Sequence, residues 1–426
     1  MARIVLNTFG SYGDVFPYLA IGLRLQKRGH QPVMAAPETY RSASEDAGLE
    51  FYPVGPEVDY EDHDTFRRVM DRKHGVEVLV REFLVPHLRE SYRQLEIACE
   101  GADLLVSHVL TYAAPILAEK KKIPWVSTML SPMGFASAYD PPALAPIPWF
   151  AGLRPLGPRF VGTLWRILKR FSLSWSEPIR AFRRELDLEP GEDPLWGSFS
   201  SADGVLALYS DVFAPPQPDW PKNTTVCGFP FYDCDFGGSG DSGRLERFVA
   251  EGPAPLVFSL GSSAIHSAGN FYELAAEATK RLHQRAVLVV GNFAPPPDLP
   301  QGVVAIGSAA VRPLFEGASL VIHAGGVGTV GQAMRSGRPQ VVVPFAHDHF
   351  DNARRVKRLG IGGSLSRTRL TAAKLARCLG TIAANEPIRA SAASLGERIR
   401  AEDGAGAACK ALEKLLEGLG GSAAVS

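Results

Sequence analysis

Short, continuously apolar runs recur along the chain, each followed by a stretch in which apolar and polar residues return at helical spacing. In the first half the runs are RIVLN (3–7), PVMAA (32–36), LLVSH (104–108), WVSTML (125–130) and GVLALYS (204–210). In the second half they are PLVFSL (255–260), AVLVVG (286–291), VVAIG (303–307), LVIH (320–323) and QVVVP (340–344). Runs of this length without alternation predict strands covered on both faces. Between them lie segments such as LAIGLRLQKRG (19–29), in which Arg and Lys fill the last turn before Gly29, the punctuation of a helix C-terminus. Strands alternating with helices build parallel sheets, so two such arrays predict an α/β protein with two doubly wound sheets.

The joint between the arrays is rich in Pro and Gly: FAPPQPDWPKN (213–223) and FYDCDFGGSGDSG (231–243) can hold little regular structure. We therefore expect one domain over 1–225 and a second over 226–426, with the last helix, about 396–418, a candidate to pack back on the first domain. A chain of 426 residues also exceeds what one compact core accommodates. The Pro-rich stretch 137–160 lies inside the first array and reads as a long loop insertion, a kind of loop that is often functional. No repeat of 20–50 residues is visible.

Composition excludes more than it identifies. Lys+Arg and Asp+Glu both total 45, which gives no reason to expect a nucleic acid or another polyanion as partner. The five cysteines (Cys99, Cys227, Cys234, Cys378, Cys409) are scattered, without a zinc spacing, and predict reduced thiols. A strand that begins at residue 3 leaves no room for a signal peptide, and no apolar run reaches the length of a membrane span. The expectation is a soluble cytoplasmic protein.

Chemistry enters with HAGGVGTVGQAMRSG (323–337), directly after the apolar SLVI. The free N–H groups and the dipole of a helix starting there favour an anion. Gly325, Gly326 and Gly328 would let a diphosphate approach the backbone, and Thr329 offers a hydroxyl. A tight strand-to-helix turn packed under a neighbour explains the same glycines, and they do not separate the two readings alone. The frame fits neither the dinucleotide fingerprint nor a P-loop. Downstream, FAHDHFDNARRVKRLGIG (345–362) crowds Asp348, His349, Asp351 and Asn352 onto the C-terminal end of a strand, where ligands of open α/β sheets bind. Such side chains beside a phosphate cradle suit a nucleotide sugar. A second strand-then-glycine unit, ARIVLNTFGSYGDVFP (2–17), opens the chain.

The ordered motifs HxGGxGT, GxPQVVVP and DxFDNAxRVxxLGxG resemble those of inverting, nucleotide-sugar-dependent, family 1-like glycosyltransferases of the GT-B fold. FGSYGDVFPYLAIGLRLQKRGH (9–30) is similar to bacterial members, including sterol glucosyltransferase-like enzymes. GDVFP, FAPPQPDWP, CGFPFYD and AHDHFDN together resemble the catalytic chain of rhamnolipid-forming rhamnosyltransferases. The similarity runs from residue 3 to about 362.

The resemblance implies that the second sheet holds the nucleotide diphosphate and the first holds the acceptor. His323 would bond the α-phosphate, with Gly325, Gly326, Gly328 and Thr329 around the diphosphate and Ser262 and Ser263 meeting it from the other side. The base would rest on SAAVR (308–312), which brings Val311 into the site, but the Trp that stacks on uracil in plant enzymes is missing. The acid that commonly binds the ribose is missing; Gly331 and Gln332 stand there, and Gln332 is the candidate substitute. Asp348 would accept bonds from the sugar hydroxyls, and His349 stands where Gln is usual; facing water at a helix start is its alternative. UDP-glucose or dTDP-rhamnose is the expected donor, with no cofactor and no metal: the triplets Asp62-His63-Asp64 and Asp233-Cys234-Asp235 lie away from strand ends.

The acceptor side is apolar and aromatic over 60–100 and 137–185, which fits a pocket for a hydrophobic acceptor, a face leaning on a membrane, or ordinary core. Ser11, Phe83, Phe135 and Tyr139 are the acceptor candidates, and localisation at the inner membrane periphery is the corresponding expectation. For the base that deprotonates the acceptor, two readings stand: Asp14 acting directly, or a dyad of Asp14 with His108. Relatives by fold include catalytically silent partners of transferases and nucleotide-sugar epimerases, which are the alternatives. The oligomeric state is not fixed by these features.

Overall fold

The computed structural model describes residues 1–233, 242–307 and 310–423. Cys234, Asp235, Ser308 and Ala309, all singled out above, lie outside the described residues. The first sheet is built from β1 (Arg3–Asn7), β2 (Gln31–Ala36), β3 (Glu50–Pro53), β4 (Leu104–His108), β5 (Trp125–Met129), β6 (Gly204–Ala207) and β7 (Thr224–Val226). The second comprises β8 (Leu256–Ser259), β9 (Ala286–Val289), β10 (Val303–Ile306), β11 (Leu320–His323), β12 (Gln340–Val342) and β13 (Gly362–Ser364). Every pairing is parallel, in the orders β3-β2-β1-β4-β5-β6-β7 and β10-β9-β8-β11-β12-β13.

All ten apolar runs are strands, and their burial explains why they do not alternate. On β1, Ile4 and Leu6 pack with Tyr18, Leu19 and Leu25 on one face of the sheet, while Val5 enters a separate cluster with Leu95 and Leu117 on the other. Each such fully buried side chain contributes about 1.5–3 kcal/mol. The three strands that the pattern does not reveal, β3, β7 and β13, are all sheet edges. An edge is covered less completely, so EFYP, TTV and GGS need no apolar run. In β13 the approach is so close that a Cβ on Gly362 would lie 1.9 Å from the Gln340 carbonyl oxygen.

Six helices matter for the site: α1 (Tyr12–Lys27), α2 (His63–Val69), α3 (Pro158–Phe171), α4 (Val327–Ser336), α5 (His349–Arg358) and α6 (Gly404–Ala423). The last returns to the first sheet. Cys409 Sγ lies 3.7 Å from the Ile21 carbonyl on α1, Arg24 pairs with Asp403 at 2.7 Å, and Arg28 pairs with Glu413.

A second bridge between the sheets is buried and ionic. Asp140, in the Pro-rich insertion, pairs with Arg355 at 2.9 Å and Arg358 at 2.8 Å on α5, while Arg355 also holds Asp351 at 2.7 Å. The other oxygen of Asp351 accepts the Ala143 N–H at 3.0 Å. Asp140, Asp351 and Arg355 are all buried. Removing one partner of such a set strands a charge in a dry setting, at a cost of about 3–5 kcal/mol. Asp140→Asn should therefore lower the unfolding free energy by several kcal/mol, measured by urea denaturation. A loss below about 1 kcal/mol, the worth of a surface pair, would show that the network is not carrying the interface.

Candidate functional site

In each sheet the strand order reverses once, between β1 and β4 in the first and between β8 and β11 in the second. Loops leaving neighbouring strands in opposite directions open a crevice there. The C-terminal ends of these four strands, with the loops and helix starts that follow them, carry Asp14, His108, Ser262 with Ser263, and His323 with its glycines.

After β1 the chain turns through Gly10 at φ +127°, where a Cβ would lie 2.4 Å from Asp14 Oδ2. Ser11 at the N-cap of α1 donates its N–H (2.7 Å) and hydroxyl (3.0 Å) to that same oxygen. The Thr8 hydroxyl donates to the Asp14 carbonyl (2.9 Å), and Tyr40 donates to the Gly10 carbonyl (2.6 Å). Asp14 is thus clamped, half-buried, at a helix N-terminus. His108 ends β4, buried, with Nδ1 lacking a partner. Burial pushes its pKa down, against the pull of the Asp14 charge. The two side chains share an electrostatic neighbourhood, but no described hydrogen bond joins them. The dyad is not made in this state.

In the second crevice His323 ends β11 fully buried, and its Nε2 lies 2.9 Å from Gln340 Oε1. Burial lowers its pKa to about 4, so the ring is neutral at pH 7. With Nε2–H given to Gln340, Nδ1 is an acceptor and cannot bond a phosphate. Both Nδ1 and Gln340 Nε2 are buried and unpartnered. Turning the Gln340 amide over points its NH₂ at Nε2 and moves the ring proton to Nδ1, the tautomer a phosphate requires.

α4 starts at the Gly326 N-cap, leaving its first N–H groups without helical acceptors. Gly325, at φ +104°, passes so close to α5 that a Cβ would meet the His349 carbonyl at 3.1 Å. His349 is buried rather than turned to water. Its Nδ1 accepts the Phe345 N–H at 3.4 Å, so Nε2 carries the proton, and a Cβ on Gly326 would lie 3.8 Å from that Nε2. Burial, then the neighbouring His347 and His323, push its pKa to about 3.

Asp348 caps α5. Its pKa is pushed up to about 7 by burial and by the Asp14 charge, opposed by the Asn352 amide that donates to it at 2.8 Å. The same amide reaches the Gly325 carbonyl at 2.8 Å and ties the glycine loop to Asp348. Asn352 belongs to the site through that link, while Asp351, its neighbour, faces the ionic bridge instead. His347, in the left-handed region at φ +48°, also reaches the cleft; its pKa is lowered by burial and raised in part by the Val69 carbonyl and Asp14. Nothing in the residue pattern marks a strained backbone at that position.

The crevices face one another. A Cβ on Gly328 would lie 3.9 Å from the Gly13 Cα. Within the second crevice, one on Gly261, beside Ser262 and Ser263, would lie 3.6 Å from Thr329 Oγ1. An aromatic run closes one side: Tyr12 stacks on Tyr60 (5.1 Å), Tyr60 on Phe66 (5.3 Å), and Phe66 on His266 of the serine loop (4.2 Å). His266 Nδ1 is also 2.9 Å from His63 Nδ1. Gln332 is half-buried on α4, and Val311 is half-buried at the start of the helix Val311–Glu316.

Of the acceptor candidates, Ser11 is part of the Asp14 clamp, and Phe83 packs on Phe9 at 5.8 Å beside β1. The hollow beside it, lined by Thr8, Phe9, Val54, Leu84, Leu88 and Tyr112, has a volume of only about 20 Å³, too small for an acceptor of any size. Phe135, expected at the acceptor, is instead buried and stacked on Trp220 at 4.1 Å, a core residue whose ring is spent on packing. Tyr139 is exposed on the insertion. Asp62 caps α2 by accepting the Thr65 N–H, and Asp233 pairs with Arg335 and Arg312. Among the described residues no group of three or more His, Cys, Asp or Glu is placed to hold a metal ion.

Two parallel sheets with facing crevices, one offering a clamped carboxylate and the other a glycine-lined helix start, define a GT-B architecture. The comparisons agree and add the family. Residues 4–139 match the glycosyltransferase family 28 N-terminal domain, and residues 289–415 match the erythromycin biosynthesis protein CIII-like C-terminal domain. O-mycaminosyltylonolide 6-deoxyallosyltransferase of Streptomyces fradiae is 32% identical, covering 97% of this chain and 98% of that protein. Sterol 3-beta-glucosyltransferase of Yarrowia lipolytica is 26% identical over 97% of this chain, which spans 29% of that longer protein. The structure of spinosyn forosaminyltransferase superposes with a TM-score of 0.71 at 17% identity, covering 98% of this chain and 99% of that one. Spinosyn rhamnosyltransferase complexed with thymidine diphosphate does so at 0.68 and 19%, covering 97% and 100%. The chain belongs to the family 1-like glycosyltransferases of GT-B fold, and it is a glycosyltransferase.

The Asp348 carboxyl generates a pH test. Its native pKa is raised, so between about pH 4 and 7 the native state binds a proton that the unfolded chain does not, and stability falls as pH rises through that window. Asp348→Asn should remove that slope in the ligand-free enzyme and raise stability above pH 7 by on the order of 1–4 kcal/mol. Parallel unfolding curves for both proteins across the window would mean that Asp348 is not shut away from water.

Proposed function

We propose that the enzyme transfers a sugar, with inversion and without a metal, from a nucleotide diphosphate donor to a hydroxyl of a hydrophobic small-molecule or lipid acceptor. The observation that carries this reading is the opposition of Asp14 to the glycine start of α4 across a contact as close as Gly13 to Gly328. A hydroxyl held at Asp14 and an anomeric carbon held before α4 are then neighbours. As the acceptor oxygen bonds to that carbon, its proton passes to Asp14 and the carbon–oxygen bond to the diphosphate breaks, its electron pair leaving with the phosphate. The first-turn N–H groups of α4, His323 in its Nδ1–H tautomer and His349 Nε2–H stabilise the departing charge. Asp348, held by Asn352, receives the sugar hydroxyls.

The relative named for a 6-deoxyallosyl donor favours a 6-deoxyhexose such as that of dTDP-rhamnose over UDP-glucose. Both remain in the test. The natural-product and sterol relatives support a hydrophobic acceptor.

Mass spectrometry of UDP- and dTDP-sugars incubated with a panel of polyketides, sterols and lipids should yield one mass increment matching the accepted sugar. With that pair, Asp14→Asn should reduce transfer roughly 10²–10⁴-fold while donor affinity by calorimetry holds, because Asp14 lies in the other domain. An active Asp14→Asn enzyme removes the proposed base. His108→Ala should leave most of the turnover, since no hydrogen bond links it to Asp14. A loss equal to that of Asp14→Asn would restore the dyad.

A further inference from the structure

The insertion and the helix after it expose apolar side chains that the fold does not cover. Residues Pro148–Leu156 form a 3-10 segment that packs on α3 through Phe150, Val161 and Trp165. On the outside of this unit Phe171 is 74% exposed and Trp149 63%, with Leu156, Phe160 and Ile167 also exposed. Phe160, Leu164, Ile167 and Phe171 follow one another at helical spacing, so they form one stripe along α3. Scattered exposed apolar residues are ordinary, but a continuous stripe on an amphipathic helix is not.

The charges beside the stripe have one sign. From Pro141 to Ser176 the sequence contains no Asp or Glu, and five basic residues: Arg154, Arg159, Arg166, Lys169 and Arg170. Lys169 turns toward Asp193 and Glu192, and Arg154 comes within 3.9 Å of Asp140. Arg159, Arg166 and Arg170 are exposed and make no ion pair with any described acid, whereas most other arginines of this neutral chain do. Arg166 donates only to Thr163. An aromatic and aliphatic stripe edged by unpaired guanidinium groups is complementary to an anionic lipid surface, into which the rings can sink while the cations meet headgroups.

We infer that α3 and the 3-10 segment before it are a docking face for an anionic bilayer, on which the enzyme rests reversibly. The face deepens the reading of a hydrophobic acceptor, since it places the insertion bearing Tyr139 and Asp140 at the reservoir in which such an acceptor dissolves. Among the described residues no helix is long and apolar enough to cross a membrane, so contact through this face is peripheral.

The test is co-sedimentation of the full chain with vesicles, which reads lipid binding and not sugar transfer, so the two readings fail separately. Vesicles of phosphatidylcholine mixed equally with phosphatidylglycerol should carry the protein down at low salt, and vesicles of phosphatidylcholine alone should not. Phe160→Ser with Phe171→Ser should abolish the binding. Arg159→Glu and Arg166→Glu should each lower the partition coefficient at least about fivefold. Thermal unfolding unchanged by these exposed substitutions verifies the fold. Absence of binding, equal binding to neutral vesicles, or binding kept by all variants overturns the inference. A self-associated species in sedimentation velocity that the Phe variants disperse, without vesicle binding, overturns it in favour of a protein interface.

Discussion

The buried set of Asp140, Asp351 and Arg355 fixes α5 against the first domain, and most of the site hangs from that helix. Asp348 is its N-cap, His349 its first residue, and Asn352 its link to the glycine loop. Asp140 and the Ala143 N–H come from the first domain. A carboxylate that accepts from another domain and an arginine shared between two acids hold orientation as well as distance: one oxygen of Asp351 accepts the Ala143 N–H and the other accepts Arg355 Nε. A bonded ion set of this kind is weak evidence for added stability, since an apolar replacement could match it. Its consequence is geometric: the helix presenting Asp348 and the insertion that carries Tyr139 are tied to one another by the same buried contacts.

The fold was legible wherever strands are covered on both faces. The central strands β1, β4, β8 and β11 announced themselves as apolar runs, and they also fix the reversal points, so the location of the site followed. The edge strands β3, β7 and β13 did not, because partial cover relaxes the demand for apolar residues. The site was legible where residue type alone constrains chemistry: glycines before a helix, an acid at a helix start, and His and Asp at a strand end. It was not legible where orientation decides. Asp351 and Asn352 are adjacent, yet one turns to Arg355 and the other to Gly325. Phe135 and Phe83 look alike in the chain, and only packing shows that Trp220 has claimed the first. The i,i+4 spacing of Asp348 and Asn352 on one helix face was the available signal for Asn352.

The cleft is also unusual in where its charge resides. Burial pushes the pKa of His323 down to about 4 and that of His349 to about 3, and at His349 the neighbouring His347 and His323 add to the effect. Neither supplies positive charge at neutral pH. On the proposed assignment the diphosphate therefore meets N–H dipoles, from the start of α4 and from neutral rings, and not a row of cations. That matters for release as well as for binding. A preorganised dipole stabilises charge as it develops on the leaving oxygen without reorganising, and it does not hold the spent diphosphate as an ion pair would. The arrangement depends on tautomers. His349 has its proton fixed at Nε2 by the Phe345 amide, whereas His323 takes its tautomer from Gln340, a group able to present either its oxygen or its nitrogen. On the proposed assignment Gln340 is thereby the residue that decides whether His323 acts as a donor to the phosphate, and it does so from the neighbouring strand, where it is fully buried.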